Sequence, residues 1–412
     1  MKILMLSATF PYPPTKGGTH NRTFNLLQPI ALRHQVTLLT QRAEDVTEED
    51  IAGLRQWVDE LIIFPRPQAV KAGILAKIQR FGQFILKGTP PNVLFLYSHE
   101  MQTWIDDAVA AGKFEAITCE HSVNEIYIRP QWQQKLTTII DIHSSIYRTC
   151  KNQLETNTSE NPKRDRLFLP LLRRYEQQSI RKFSHVVVTT DEDEQQMRRF
   201  VPNAQVTVIP NGVDLDTFPY REKDLGGYNL VFVGGLDYFV NIDAACFFAT
   251  EVFPQLQQQF PDATLTLVGS KPAPEVQALT EQNPAITVTG RVPSIAQYLH
   301  QATVAVAPLR TGFGMKIKTL EYMAAGTPVV GSDRGLEGIE VDSDRVPLRA
   351  LRANTIEQYL QAIATLLTNP CLRAELASNA RTMIEQEYTY LSLANRYEKI
   401  ITGSYNLITD QK

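Results

Sequence analysis

Lys318 and Glu321 stand three positions apart in the stretch that says most about chemistry. It runs from the apolar Val304-Ala305-Val306-Ala307 through a loop carrying Gly312 and Gly314 and a helical pattern over 315–325 to Pro328-Val329-Val330. Residues three apart on a helix share one face. An ammonium there would neutralise a diphosphate, and a carboxylate one turn on would accept hydrogen bonds from both hydroxyls of a ribose. The same spacing also fits an ordinary surface ion pair. The setting favours a ligand: in a parallel sheet, the loop after a strand's carboxyl end is where ligands bind. Gly312 and Gly314 let backbone approach closely, and the helix start offers free N–H groups and a positive dipole end to phosphate. Lys316 adds a second cation.

Other polar residues fall at matching places. His121 follows the apolar run Ala116–Cys119, and Asp141 with His143 closes the run Thr137–Asp141. Each also suits a hydrogen-bonded or capping residue. Near the N-terminus, Phe10-Pro11-Tyr12-Pro13-Pro14-Thr15-Lys16-Gly17-Gly18 makes a rigid turn ahead of a helix, its glycine amides free to face a ligand. It is not G-x-G-x-x-G, so the dinucleotide fingerprint fails. Asp191-Glu192-Asp193-Glu194 reads as the charged first turn of a helix, favoured by the dipole, and not as a metal site.

Strand–helix alternation must position these residues. Candidate strands in the first half are Ile3–Leu6, Val36–Thr40, Leu61–Phe64, Ala116–Cys119, Thr137–Asp141, His185–Thr189 and Val206–Ile209. In the second half they are Asn229–Val233, Thr264–Val268, Ile286–Val288, Val304–Ala307 and Pro328–Val330, with helical patterns at 242–258, 315–325 and 355–367. The pattern predicts an α/β protein of two Rossmann-like domains with parallel sheets. A length of 412 residues fits two cores. We expect a first domain over 1–213, a linker over 214–227 around the turn Pro210-Asn211-Gly212, a second domain over 228–387, and a C-terminal helix over 388–412 that packs back on the first.

Composition removes several classes of function. A net charge of −3 argues against a nucleic-acid binder. The four cysteines, Cys119, Cys150, Cys246 and Cys371, form no metal-ligand spacing and read as buried small residues in a reducing compartment. No apolar run approaches a membrane span, and the N-terminal run is too short for a signal peptide, so the expected location is cytoplasmic. Val70, Ile74, Ile78, Phe81 and Ile85 share a helix face flanked by Lys71, Lys77, Arg80 and Lys87. Such a helix either packs on its own sheet, the preferred reading, or lies peripherally on the inner face of the membrane.

Taken in order, these motifs resemble glycosyltransferase family 4, retaining enzymes of the GT-B fold, whose two domains face a cleft. Glu321 matches the second of the family's two glutamates, which holds the nucleotide ribose, and Ala324-Ala325-Gly326-Thr327-Pro328-Val329-Val330 matches the family's small-residue helix end and Gly-x-Pro-Val strand. Phe313 occupies the place of the first glutamate. Gly312-Phe313-Gly314 with Lys318 and Glu321 is similar to a branch typified by sugar transferases of bacterial exopolysaccharide clusters. Asn211-Gly212-Val213-Asp214 matches the interdomain turn; Leu267-Val268-Gly269 and Val288-Thr289-Gly290-Arg291-Val292 match two strand ends. Val231-Phe232-Val233-Gly234-Gly235 opens the nucleotide domain, but Gly235, Val240 and Asn241 stand where many members carry an arginine and a lysine that grip the donor phosphates.

The resemblance implies a metal-independent hexosyltransferase that uses a nucleotide-diphosphate sugar and a glycan or lipid-linked acceptor, without a cofactor. It assigns donor binding to Gly17, Gly18, Gly235, Arg291, Gly312, Gly314, Lys316, Lys318 and Glu321. His121 and Lys318 take catalytic roles, and Arg22 and His143 acceptor roles; Arg22 also suits a solvated helix arginine. Rival readings are a nucleotide-sugar epimerase, a phosphorylase, and a non-catalytic nucleotide-sugar-binding partner of another transferase.

Overall fold

Along Lys2–Ser7 (β1), Ile3 and Met5 pack into one hydrophobic core while Leu4 and Leu6 pack into another. That is the demand of a strand buried on both faces of a parallel sheet. The computed structural model describes residues 1–67, 82, 84, 85, 88–312 and 314–404. The amphipathic segment at 70–87, apart from Gly82, Phe84 and Ile85, lies outside them, as does Phe313.

The other strands of the first sheet are Gln35–Arg42 (β2), Glu60–Pro65 (β3), Ala116–Glu120 (β4), Thr137–Ile142 (β5), His185–Val188 (β6) and Val206–Val208 (β7). They run parallel in the order β3-β2-β1-β4-β5-β6-β7 among the described residues. The second sheet comprises Asn229–Val233 (β8), Thr264–Val268 (β9), Ile286–Val288 (β10), Val304–Ala307 (β11), Val329–Gly331 (β12) and Leu351–Arg352 (β13), parallel in the order β10-β9-β8-β11-β12-β13. Strand order reverses at β1/β4 and at β8/β11. Such switch points leave a crevice at the strands' carboxyl ends, where ligands bind.

Six helices carry or frame the polar residues singled out from the sequence: Gly18–Ala31 (α1), Asp191–Phe200 (α2), Phe239–Phe247 (α3), Ile317–Ala324 (α4), Pro370–Glu387 (α5) and Tyr390–Ile401 (α6). The acidic start of α2 is capped by Thr190, which accepts the Asp193 amide, and Asp193 pairs with Arg148 at 2.7 Å. The helix expected over 242–258 starts earlier, at α3, and is rewound by a π turn at Phe248–Val252 before Phe253–Gln259. Pro254 lacks the N–H that would continue the regular ladder. β13 has two residues and no apolar run that would announce it.

The chain divides into a first unit of Met1–Pro210 with Tyr390–Lys412 and a second of Asn211–Thr389. The segment 214–227, expected as a linker, is part of the second unit. Phe218 is buried there, and the buried Arg221 donates to the Ala302 carbonyl at 3.0 Å. Cys119 and Cys150 are buried, but Cys246 is only half-buried and Cys371 is exposed, against expectation. Among the described residues, no helix is long and apolar enough to cross a membrane.

α6 completes the first unit. Leu393, Ala394, Tyr397, Ile400 and Ile401 enter the core beneath α1, and Glu398 pairs with Arg33 at 2.6 Å. Leu393→Ala should cost about 2–5 kcal/mol by leaving a cavity there. Denaturant unfolding followed by hydrogen exchange should show that loss in the first unit while the second keeps its protection; equal loss in both would show that α6 braces more than its own core.

Candidate active site

In the second unit the chemistry is set by how α4 is pinned. The Tyr322 hydroxyl accepts the Val233 amide at 2.8 Å, and the Thr319 hydroxyl donates to the Gly335 carbonyl at 2.7 Å. Thr319, Leu320, Tyr322, Met323 and Ala324 form the buried face, which leaves Lys318 and Glu321 together on the other. Gly312 and Gly314 hold φ of 85° and 81° in the loop before the helix, a region costing a side-chain-bearing residue about 1–2 kcal/mol. Lys316 curls back on this loop, its Nζ donating to the Gly314 carbonyl at 2.6 Å.

The Lys318 ammonium donates to Asn241 Oδ1 at 2.5 Å and lies 4.4 Å from the centre of the Phe232 ring. The Glu321 carboxylate makes no hydrogen bond or ion pair with any described residue. Burial pushes the Lys318 ammonium down to about 7, helped by Lys316 and opposed by Glu321. Burial likewise pushes the Glu321 carboxyl up to about 7, against the pull of Lys318. Gly235 lies in the turn after β8, its carbonyl accepting from Asn241 Nδ2 at 2.9 Å. Arg291 is exposed beyond the edge strand β10, with β9 between that strand and β8, and bonds to none of the other candidates.

In the first unit, Gly17 and Gly18 lie exposed at the start of α1, where the first amides have no partner within the helix. Arg22 is not an open acceptor-binding residue, nor a solvated one. It is 1% exposed, its guanidinium grips Asp141 at 2.7 and 2.9 Å, and it donates to the carbonyls of Ile209 and Pro210. Its long side chain reaches Asp141 on the interior strand β5, and that carboxylate is the buried charge it meets. Burial alone would raise the Asp141 carboxyl, but Arg22 and His143 hold it below the usual carboxylate range.

His143 Nε2 stands 3.3 Å from Asp141, and the His121 ring meets the His143 ring edge-on at 5.1 Å. His121 holds φ of 80°, a sparsely populated conformation for histidine, and its Nδ1 has no partner. Asn124 fixes that loop: it donates to the Glu120 and His121 carbonyls and accepts the Ala8 amide. Burial, with His143 beside it, pushes His121 down to about 3, so it is a neutral imidazole with a nitrogen to offer.

Glu120, Asp141 and His143 bring possible ligand atoms within 4.8 Å of one another. The Arg22 guanidinium already supplies the positive charge that Asp141 faces there. Glu120, which accepts from Tyr397 at 2.9 Å, is pushed up to about 8 by burial and by Asp141. Tyr397 and Glu120 carry no spacing signal, since they lie 277 positions apart. Asn241 had one: it is the polar member of the buried face of α3, beside Val240, Ala244 and Ala245.

Two parallel doubly wound sheets, each with its polar loops at the switch point, define a GT-B glycosyltransferase. The family model for glycosyltransferase family 4 matches residues 16–217, and that for glycosyl transferases group 1 matches residues 227–369. The chain is a glycosyltransferase, with a glycosyltransferase family 4 domain followed by a glycosyl transferases group 1 domain. It is similar to an uncharacterized 44.6 kDa protein in the cps region of Klebsiella pneumoniae, 20% identical over 94% of this chain and 96% of that protein. Phosphatidyl-myo-inositol mannosyltransferase of Mycobacterium tuberculosis is 33% identical over 30% of this chain and 34% of its own length. Among solved structures, sucrose-phosphate synthase from Thermosynechococcus elongatus has a TM-score of 0.68 at 19% identity, covering 98% of this chain and 99% of that one. HepE of Anabaena, in complex with UDP and glucose, has a TM-score of 0.64 at 16% identity, covering 98% and 99%.

Arg22→Met should destabilise the first unit by about 3–5 kcal/mol, because it strands a buried carboxylate. Adding Asp141→Leu should recover much of that loss. Because the native Asp141 carboxyl is depressed, its contribution is present above its unfolded value of 3.8 and fades as pH falls through the folded one. Urea midpoints at neutral and acid pH measure this; a single variant as stable as wild type at neutral pH would contradict it.

Proposed function

We propose that this glycosyltransferase moves a hexosyl unit, with retention and without a metal, from a nucleotide-diphosphate sugar to a glycan or lipid-linked acceptor. The observation that carries the reading is the half-buried Glu321 carboxylate, without a bond of its own, one turn from the desolvated Lys318 ammonium. A ribose would give that carboxylate two hydroxyl donors, and a diphosphate would give the ammonium its counter-charge. The start of α4 after Gly314 adds free amides on the same side.

In such a transfer, the diphosphate gains negative charge as the glycosidic bond stretches. Lys318 and the helix amides stabilise that charge, each well-placed donor contributing about 3 kcal/mol. A leaving oxygen on the acceptor's side takes the acceptor hydroxyl's proton as the new bond forms, so no pair of catalytic carboxylates is needed. The neutral His121, with its free nitrogen at the end of β4, is suited to a sugar hydroxyl. The acceptor falls to the first unit. The place of the Klebsiella relative in a cps region supports a polysaccharide or glycoconjugate product. A lipid-linked acceptor would give the basic segment 70–87 a membrane surface to lie on.

A thermal-shift screen of UDP-, GDP- and ADP-sugars tests the donor site. At about a hundredfold excess over Kd, the right donor should stabilise wild type by about 2.7 kcal/mol, and Glu321→Ala much less. If no nucleotide sugar stabilises wild type more than Glu321→Ala, the donor assignment is wrong.

Donor affinity should also be bell-shaped in pH. It falls above about 7 as the Lys318 ammonium deprotonates, and below about 7 as the Glu321 carboxyl protonates. Calorimetric titration should show Lys318→Met without the basic limb and Glu321→Gln without the acidic one; limbs that survive these changes would assign the titration elsewhere.

A further inference from the structure

The turn after β8 lacks the arginine and lysine common in the family, and the residues present make a different arrangement. Asn241 Oδ1 accepts from Lys318 Nζ at 2.5 Å while its Nδ2 donates to the Gly235 carbonyl at 2.9 Å. Both ends of the amide are therefore committed, and its orientation is set by them. Gly234 fits between: a Cβ built there would lie 2.8 Å from both Lys318 Nζ and Asn241 Cγ. From the other side, a Cβ on Gly269 would meet the Gly234 carbonyl oxygen at 1.7 Å. The turn is thus clamped between the ends of β9 and α4, with the Asn241 side chain as its brace.

The Asn241 side chain does nothing for its own helix. The N-cap of α3 is Tyr238, without a side-chain cap bond, and the Asn241 backbone amide reaches the Tyr238 carbonyl by itself. A buried amide in an otherwise apolar face is costly unless both its ends are bonded. Here both bonds go to the candidate donor site.

We propose that Asn241 is a positioning residue for the donor diphosphate, holding the Lys318 ammonium and the Gly234–Gly235 turn in one arrangement so that a single aimed cation replaces a cation pair. This role rests on the nucleotide-sugar reading of the site. The neutrality of the amide is essential: it takes one of the three ammonium hydrogens and leaves the full charge for the ligand. A carboxylate at this position would neutralise that charge instead. The charges acting on Lys318 are Lys316 and Glu321, both on or beside α4. Asp243, the nearest acid on α3, is occupied by Arg310.

The test is donor binding by calorimetry from about pH 6 to about pH 9, using the nucleotide sugar that stabilises wild type most. Asn241→Ala should weaken binding about tenfold, the scale of a lost hydrogen bond to a charged group. Adding it to Lys318→Met should cost little more, since the two residues act as a unit. Asn241→Asp, nearly isosteric, should bind less tightly at neutral pH and move the basic limb upward by about one pH unit or more, because an adjacent carboxylate favours the charged lysine.

Three results would overturn the proposal: donor affinity untouched by Asn241→Ala, a basic limb unmoved in Asn241→Asp, or fully additive losses in the double variant. Circular dichroism on each variant separates loss of fold from loss of aim, and Asn241→Asp remains decisive if Asn241→Ala unfolds. Wild type that binds no nucleotide sugar sinks the donor reading itself. Weakening by Lys318→Met but not by Asn241→Ala sinks only the role of Asn241.

Discussion

An ammonium and a carboxylate taken partly out of water within one helical turn would ordinarily close on each other. Lys318 and Glu321 do not, and the rest of the second unit accounts for it. Tyr322 and Thr319 fix the rotation of α4, so the two side chains project from its unburied face. Asn241 then draws the ammonium toward the end of β8, over the Phe232 ring, and away from the acid. The outcome is a pair of charges, each made more expensive by desolvation and each left with hydrogen-bonding capacity. Interiors tolerate that arrangement where a ligand completes it.

The first unit has the same strand order at its switch point and the opposite electrostatics. Arg22, Asp141 and the carbonyls of Ile209 and Pro210 satisfy one another in full, at under 2% exposure for both charged side chains. What remains without a hydrogen-bond partner there is the strained His121 with its Nδ1, His143 Nε2, and the second oxygen of the raised Glu120 carboxyl. One unit therefore presents charge suited to an anionic ligand, and the other presents imidazole and carboxyl groups that can hydrogen-bond hydroxyls.

Much of this was legible in the chain. Runs such as Val304–Ala307 bury on both faces and announce parallel strands, and the two glycines ahead of Lys318 and Glu321 mark the loop that matters. What escaped was carried by long-range pairing. Arg22 reads as an exposed helix residue because its partner, Asp141, is 119 positions away. Tyr397 reaches Glu120 across most of the chain, and no periodicity encodes that contact. Asn241 was visible as a departure from an expected cation and as a polar residue on an apolar helix face, but its use depends on a lysine that arrives from another helix. The π turn before Phe253–Gln259 was missed because apolar spacing survives a local rewinding that only Pro254 hints at.

The return of α6 to the first unit also bears on how the chain is made. Ile3, Met5, Leu26 and Leu27 share their core with Leu393, Tyr397 and Ile400. During synthesis those early residues emerge long before the late ones, and the entire second unit is made in between. At about 5–20 residues per second, the apolar face beneath α1 stays open for many seconds. The second unit, continuous in sequence, is free to fold in that interval. The molecule is therefore built inside out: the last helix closes the first unit, and a ribosome that stops short of residue 390 releases a chain with a finished second unit and a first unit whose core is open and adhesive.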